Sequence, residues 1–124
     1  FLENDFMKNE NVLLPVIERK NNMNFYSWKK NQALFVNKFG MLEPEKTSIK
    51  TPNLILVPIL AFDKHKYRLG YGKGFYDRYL NKFLYRFKDI LTVGVAFSFQ
   101  KYHKLPIDKK DVKLNYILTE KGIF

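Results

Sequence analysis

The feature that most constrains the fold is an apolar run at residues 53–60, which reads NLILVPIL. From Leu54 onward the run has no polar residue, so it predicts a β-strand covered on both faces, as strands of parallel sheets are. Apolar residues at helical spacing predict a helix over residues 75–87, and residues 90–97 predict a second two-faced strand. The apolar positions of that helix are Tyr76, Leu80, Phe83 and Phe87. This order predicts a βαβ unit with parallel strands, and therefore an α/β fold.

The rest of the chain predicts short strands and loops around that unit. Residues 12–17, 25–28 and 115–119 are short apolar runs that predict strands. A length of 124 residues predicts one domain. No apolar run reaches the roughly 18 residues of a membrane helix, and the first residues do not predict a signal peptide. The chain has no cysteine, which excludes disulfides and thiolate sites. These features favour a cytoplasmic protein.

Residues 67–78, YRLGYGKGFYDR, place three glycines at alternate positions between the first predicted strand and the predicted helix. Glycine backbone can approach a ligand closely, and a helix N-terminus attracts anions. Arg68, Lys73 and Arg78 add positive charge, so we interpret this turn as a phosphate-binding cradle at the carboxyl end of the strand. The spacing matches neither the Walker A loop nor the dinucleotide-binding fingerprint. The alternative interpretation is a mobile turn without a ligand.

The positive charge of the chain is unevenly distributed. Residues 63–124 hold 14 basic and 6 acidic side chains, whereas residues 1–62 hold 8 and 6. The net charge of +10 favours a phosphorylated ligand or a polyanion. A basic module that binds nucleic acid is therefore a second hypothesis, although no nucleic-acid-binding motif is present. Solvated lysines without a ligand are the structural alternative.

Two aspartates are candidate magnesium ligands. Asp77 lies in the first turn of the predicted helix, where a carboxylate would repel a bound phosphate unless a cation lay between them. Asp111 could supply a second carboxylate. The structural alternatives are an interaction of Asp77 with the helix dipole and a solvated loop position for Asp111. No histidine or serine stands in the pattern of a metal site or a nucleophile.

Residues 53–80 closely resemble the signature of the 5-formyltetrahydrofolate cyclo-ligase family, also called methenyltetrahydrofolate synthetase. The strand, VP, AFD, YRLGYGKG and FYDR follow in the order of that signature without gaps. Further similar segments are VLLP at residues 12–15, GMLEP at 40–44, TVGVAF at 92–97 and ILTE at 117–120. The resemblance covers essentially the whole chain. Because the family carries a further segment before the position of Val12, the resemblance implies a single cyclo-ligase domain, residues 1–124, that is incomplete at its N-terminal side.

The resemblance implies an ATP-dependent ring closure. The family phosphorylates the formyl oxygen of 5-formyltetrahydrofolate, and the N10 nitrogen then attacks the activated carbon. Phosphate leaves, 5,10-methenyltetrahydrofolate forms, and ADP is the other product. Such a reaction needs positioned phosphates and neutralised charge rather than a protein nucleophile. The implied fold is a three-layer α/β/α sandwich with a mostly parallel sheet, like that of ribose-5-phosphate isomerase and the CoA transferases.

The resemblance also implies roles for individual residues. Lys73 would stabilise the transferring phosphoryl group, with Arg68 and Tyr76 beside it as catalytic residues. The implied ATP ligands are Arg68, Leu69, Gly70, Tyr71, Gly72, Lys73, Gly74, Phe75 and Tyr76. The implied folate ligands are Tyr71, Gly72, Lys73, Gly74, Phe75 and Glu43. The implied Mg²⁺ ligands are Asp77 and Asp111.

The implied partner is a small molecule, 5-formyltetrahydrofolate. We expect a monomer, with neither a nucleic-acid partner nor a membrane partner. Three hypotheses stay open at this point: the cyclo-ligase, a basic nucleic-acid-binding module, and a catalytically inactive, truncated relative that still binds nucleotide.

Overall fold

A computed structural model describes residues 12–70, 74–83, 89–107, 109 and 111–124. The chain divides into two compact units, Phe1–Pro52 and Asn53–Phe124. The described part of each unit has its own β-sheets. A single domain over residues 1–124 stays a prediction beside this division.

The described part of the first unit contains two antiparallel strand pairs. Strand β1 (Leu13–Ile17) pairs with β2 (Met23–Ser27), and β3 (Leu34–Val36) pairs with β4 (Leu42–Pro44). The buried apolar side chains in the described part of this unit are Val16, Met23, Phe25, Tyr26, Pro44 and Pro52. The strands β1 and β2 confirm the sequence prediction. The sequence did not predict β3 and β4, because three residues are too few to show a strand periodicity.

The described part of the second unit is a mixed sheet with an α-helix and a short hairpin. Its elements are β5 (Leu54–Pro58), β6 (Ala61–Phe62), β7 (Arg68–Leu69), α1 (Phe75–Phe83), β8 (Leu91–Val95), β9 (Tyr116–Thr119) and β10 (Gly122–Ile123). The main sheet has the order β10-β9-β8-β5, with β8 parallel to both β5 and β9 and with β10 antiparallel to β9. The predicted βαβ unit with parallel strands is confirmed.

Burial on the main sheet differs from the sequence prediction at β5. Ile55 and Val57 are buried, but Leu54 and Leu56 on the other face are exposed. The prediction that both faces of this strand are covered is therefore wrong for the structure described. An apolar run shows only that both faces tolerate burial, and it does not show that a second layer lies over them.

The helix buries a stripe slightly different from the predicted one. Phe75, Tyr79 and Leu80 are buried, whereas Tyr76 and Phe83 are only partly buried. The predicted position Phe87 lies outside the described residues. Tertiary packing has rotated the buried stripe towards Phe75 and Tyr79, and Tyr76 is consequently turned towards β7.

The core of the second unit is formed by buried apolar side chains from the main sheet, the β6–β7 hairpin, α1 and the segments that connect them. Its buried apolar residues are Ile55, Val57, Ile59, Ala61, Phe62, Phe75, Tyr79, Leu80, Ile90, Val93, Leu105, Leu114 and Ile117. A methyl group added at Gly94 in β8 would lie 2.8 Å from Leu114 Cδ1 and 2.9 Å from Ile117 Cδ1. Close packing therefore requires glycine at this position.

The glycine turn is reached through a hairpin that the sequence did not predict. β6 and β7 pair antiparallel between β5 and the helix, with Ala61 opposite Leu69 and Phe62 opposite Arg68. The turn consequently follows β7 and does not follow β5 directly. No α-helix in the described ranges is long and apolar enough to cross a membrane.

Candidate functional site

An ion pair joins the end of the hairpin to the start of the helix. Arg68 lies on β7 and Asp77 lies in the first turn of α1. Arg68 Nη2 is 3.0 Å from Asp77 Oδ1, and the Arg68 side chain is 4% exposed while that of Asp77 is 21% exposed. A largely buried guanidinium is thus fixed beside the helix N-terminus, with a partly solvated carboxylate as its counter-charge.

The guanidinium of Arg68 keeps unused hydrogen-bonding capacity. Its Nε atom is buried and has no hydrogen-bond partner among the described residues, and its buried Nη2 atom has only the ion-pair contact with Asp77 there. A buried donor without an acceptor costs about 1–3 kcal/mol, so this arrangement points to a further acceptor. The planar fork of N–H groups matches the paired oxygens of a phosphate or carboxylate.

Two glycines allow the backbone to pass this guanidinium and to begin the helix. A Cβ at Gly70 would lie 2.6 Å from Arg68 Nη1. Gly74 has φ +69°, in the left-handed region that favours glycine, and its carbonyl accepts a hydrogen bond of 3.0 Å from Arg78 N at the start of α1. Tyr71, Gly72 and Lys73, the central residues of the predicted cradle, lie outside the described residues.

The two candidate metal ligands, Asp77 and Asp111, lie on backbone segments that contact each other. Val112 N donates a hydrogen bond of 3.3 Å to Asp77 Oδ1, so the residue next to Asp111 touches the start of α1. Asp111 itself is partly buried. Within the described ranges no group of three or more histidine, cysteine, aspartate or glutamate side chains could hold a metal ion. Two carboxylates are nevertheless sufficient for Mg²⁺ when phosphate oxygens and water complete its coordination.

Aromatic rings flank the two arginines of this region. Arg68 Cζ is 5.9 Å from the ring centroid of Tyr76, and Arg78 Cζ is 5.4 Å from that of Phe75. Burial raises the pKa of Tyr76 above its usual value, and the positive charge of Arg68 partly opposes this change. The Tyr76 phenol is therefore neutral at neutral pH and keeps its O–H as a donor.

The structure groups most of the predicted residues, with clear exceptions. Arg68, Leu69 and Gly70 end the hairpin, and Gly74, Phe75, Tyr76 and Asp77 begin the helix. Phe75 is buried in the core, whereas Leu69 is exposed. Glu43 lies in the first unit, where its Oε2 atom accepts a hydrogen bond of 2.6 Å from Ile17 N and ties β4 to β1.

Sequence reasoning missed two features of this region. It placed Arg68 and Asp77 near the same phosphate but did not pair them with each other. It also gave no role to Asp63, which is buried and accepts backbone hydrogen bonds. The only signal for Asp63 was its place in the AFD segment of the signature, directly after two apolar residues.

Comparison with known proteins identifies relatives of one kind. The model of the 5-formyltetrahydrofolate cyclo-ligase family matches residues 1–120. The 5-formyltetrahydrofolate cyclo-ligase of Haemophilus influenzae is 34% identical over 121 residues, which are 92% of this chain and 64% of the relative. The enzyme of that name from Mycoplasma pneumoniae is 41% identical over 79 residues, which are 61% of this chain and 46% of the relative.

Solved structures give the same result for the fold. The chain is similar to the solution structure of Aquifex aeolicus 5,10-methenyltetrahydrofolate synthetase, with a TM-score of 0.73 and 37% identity over 94% of this chain and 58% of that chain. It is also similar to the 5,10-methenyltetrahydrofolate synthetase of Mycoplasma pneumoniae, with a TM-score of 0.65 and 28% identity over 92% of this chain and 62% of that chain. The predicted α/β fold class and the resemblance are both confirmed. This chain spans less than two thirds of the length of these relatives.

Proposed function

Because this chain belongs to the 5-formyltetrahydrofolate cyclo-ligase family, we propose that it takes part in the ATP-dependent cyclisation of 5-formyltetrahydrofolate to 5,10-methenyltetrahydrofolate, with release of ADP and phosphate. The observation that supports this best is the buried guanidinium of Arg68, whose Nε lacks an acceptor among the described residues and whose Nη2 has only the contact with Asp77. It stands beside the N-terminus of α1, where helix N–H groups also favour an anion. A triphosphate tail would provide the acceptors that this region lacks.

In the proposed reaction the chain binds and orients and forms no covalent intermediate. The fork of Arg68 and the first N–H groups of α1 would hold phosphate oxygens, and Lys73 would stabilise charge on the transferring phosphoryl group. The formyl oxygen of the folate takes that group and ADP leaves. The N10 nitrogen then attacks the formyl carbon, and the C–O bond to phosphate breaks. Tyr71, Gly72, Lys73, Gly74 and Phe75 are proposed to contact the folate, and the role of Glu43 stays a prediction from the sequence.

The residues present fit a Mg²⁺ ion between the carboxylates and the phosphates. The Asp77 side chain is partly solvated, and Val112 N, next to Asp111, donates a hydrogen bond to Asp77. Asp77 and Asp111 would hold the ion, which when bound would neutralise phosphate charge. Arg68 already contacts one oxygen of Asp77, so both cations would act on the same carboxylate. The phosphate oxygens would in turn take up the free donors of Arg68.

The test is product formation with ATP, Mg²⁺ and 5-formyltetrahydrofolate, followed by the absorbance of the methenyl product and by ADP release. We expect Lys73→Ala to lower turnover by a factor on the order of 100 or more, because it removes a charge that acts on the transferring group. The matched control is Lys121→Ala, an exposed lysine in the β9–β10 turn, which should leave turnover unchanged. Full turnover in Lys73→Ala would contradict the role given to Lys73.

A direct binding measurement separates the proposed ligase from the other hypotheses. The 124-residue chain spans only 64% of its Haemophilus influenzae relative, so ATP binding by calorimetry should accompany the turnover assay. Binding of ATP without turnover would favour the inactive nucleotide-binding relative. Binding of DNA or RNA with a steep dependence on salt, and no binding of ATP, would favour the nucleic-acid-binding module.

A further inference from the structure

A buried carboxylate lies close to the phosphate site in the chain but is not part of it. Asp63 follows β6 directly and is 1% exposed. Its Oδ1 atom accepts hydrogen bonds from the backbone N–H groups of His65, at 2.9 Å, and Tyr67, at 3.2 Å. Its Oδ2 atom accepts one from Leu105 N at 3.2 Å. All three donors are backbone groups, so this side chain organises backbone and forms no ion pair with a described residue.

The three donors belong to two backbone arms that are far apart in the sequence. The first arm is the β6–β7 connection, residues 63–67, which leads directly to Arg68. It is tight, with Lys66 at φ +67° and Asp63 N bonded to Tyr67 O at 3.2 Å. The second arm is the described part of residues 100–114, which includes Asp111 and the Val112 N–H that is bonded to Asp77. One carboxylate therefore joins the backbone on both sides of the site.

Further hydrogen bonds at the same junction join the second arm to the first arm and to the residues just before it. Tyr102 N donates to Phe62 O at 2.7 Å, and Leu114 N donates to Lys66 O at 3.0 Å. The side-chain amide of Gln100 donates to the carbonyls of Ile59, at 3.2 Å, and Leu60, at 2.8 Å. Asp63 is the buried charged member of this junction, and its charge strengthens each bond that it accepts.

The consequence concerns the geometry of Arg68. Its guanidinium can meet both Asp77 and a phosphate only if β7 is held at a fixed distance from α1. β7 is a strand of only two residues, which is too short to fix its own position through ladder bonds. The hydrogen bonds of the two arms, together with the bond of 2.9 Å from Leu60 N to Leu69 O, therefore help to define that distance, and Asp63 joins the two arms.

We propose that Asp63 is a positioning residue of the phosphate site: its carboxylate ties the β6–β7 connection to residues 100–114, and so holds Arg68 and Asp111 in the places from which they act at the start of α1. This inference rests on the proposed nucleotide-binding function. Among the contacts of the described residues, Asp63 touches neither Arg68 nor Asp77. Its effect on a ligand would be transmitted through the backbone.

The experiment compares Asp63→Asn with Asp89→Asn in the 124-residue chain. The asparagine keeps the size of the side chain but replaces one acceptor oxygen with a donor, so one arm loses its bond. Asp89 is an exposed aspartate and controls for the change in charge. The readouts are the dissociation constant for Mg²⁺·ATP, measured well below the unfolding temperature of each variant, and the NMR resonance of the Arg68 Nε–H group.

A merely structural role and a positioning role differ in these readouts. If Asp63 only stabilised the fold, Asp63→Asn would unfold at a lower temperature, but its folded molecules would bind ATP as before. We expect instead a dissociation constant raised about tenfold or more, since small displacements of positioning groups have effects of that order, together with a shifted Arg68 Nε–H resonance. An affinity within about twofold of the parent chain and an unmoved resonance would overturn the proposal.

A second variant keeps the test decisive if Asp63→Asn does not fold. Gln100→Ala removes the two bonds to the carbonyls of Ile59 and Leu60 at the same junction, together with the bond that Gln100 Oε1 accepts from Phe97 N, at a partly exposed position. The control is Gln32→Ala in the first unit, which removes a glutamine whose Oε1 accepts a hydrogen bond from Lys29 N. A Gln100→Ala variant with unchanged affinity and an unmoved Arg68 resonance would then overturn the proposal.

Failure of the proposed function gives a different result from failure of this inference. If the parent chain does not bind ATP at all, the nucleotide-binding function is wrong for this chain. The Arg68 Nε–H resonance still decides whether Asp63 positions Arg68, because that measurement needs no ligand. If the parent chain binds ATP and both junction variants bind it equally well, only the inference is wrong.

Discussion

The two compact units differ in what holds each of them together. The described part of the first unit consists of hairpins with six buried apolar side chains, two of them prolines, and carboxylates fasten its strands. Glu18 accepts hydrogen bonds from Tyr26 Oη and from Asn24 Nδ2, and Glu43 accepts one from Ile17 N. The described part of the second unit has thirteen buried apolar side chains and a mostly parallel main sheet. It therefore depends much more on apolar packing.

This difference separates local from long-range organisation. Antiparallel neighbours in the first unit are joined by short turns, whereas the parallel strands β5, β8 and β9 are joined through long connections. Ligand-binding groups in parallel sheets collect at those connections. The second unit accordingly carries Arg68, Asp77 and Asp111. In the sequence, most of the positive charge also lies in this unit.

The largest expected effect is a cavity in the core of the second unit. Ile117 is 0% exposed and its neighbour in β9, Leu118, is 41% exposed on the opposite face. We expect Ile117→Ala to lower the free energy of unfolding by about 2–5 kcal/mol, as measured by urea denaturation. The matched control Leu118→Ala should cost less than about 1 kcal/mol. Equal losses would mean that both faces of the main sheet are covered in solution. The second unit would then depend on apolar packing even more than the first.

A smaller effect is expected from crowding within the same core. We expect Gly94→Ala to cost about 1–3 kcal/mol, because its new methyl group would meet Leu114 and Ile117 at less than 3 Å. Combining it with Ile117→Val, which removes the contacting Cδ1 atom, should recover part of that loss. In the first unit, Gly40 has open space around it but φ +75°. The stability lost in Gly40→Ala should therefore come from backbone strain, and adding Ile117→Val should not restore it.

The smallest effect concerns the polar contacts of the first unit. The hydrogen bond to Glu18 raises the pKa of Tyr26 to about 12, and the same bond lowers the pKa of Glu18. Because the pKa of Tyr26 is higher in the folded state, its contribution is present below pH 10 and is lost as the pH rises through about 12. We expect Tyr26→Phe to cost about 1 kcal/mol at neutral pH and to remove this loss at alkaline pH.

The check is urea denaturation of Tyr26→Phe between pH 7 and about 12, the alkaline limit set by the pKa of Tyr26, beside Tyr102→Phe. Tyr102 is an exposed tyrosine of the second unit, so its loss should leave both the stability and its dependence on pH unchanged. NMR titration of Glu18 should also show its pKa moving back up in Tyr26→Phe. An unchanged pKa of Glu18 would mean that its contact with Tyr26 does not persist in solution, and that this carboxylate does not fasten the strands of the first unit.

Sequence periodicity predicted the framework of the second unit better than its surface. The strand, helix and strand around the glycine turn are confirmed as β5, α1 and β8. Their apolar runs are long enough to show a period. The hairpin β6–β7 has two residues in each strand, so no period can show in it. The covering of the outer face of β5 was predicted wrongly, because burial depends on neighbours that the run itself does not contain.

The site was predicted in part for the same reason. Local spacing alone predicts an anion site from the glycines, the arginines and the acid at the helix start. The ion pair of Arg68 with Asp77, the bond from Val112 to Asp77 and the junction at Asp63 all join residues that are separated along the chain. No local pattern predicts such contacts.

The sequence by itself determined the order of strand, helix and strand, the glycine turn, the surplus of positive charge and the family. These properties depend on residue type and spacing, which are complete in the chain itself. Only the tertiary structure decided that Arg68 pairs with Asp77 and that Asp63 joins two backbone arms. The physical reason is that hydrogen bonds and ion pairs depend on distances of a few ångström between atoms, and strand pairing sets those distances for residues far apart in the sequence.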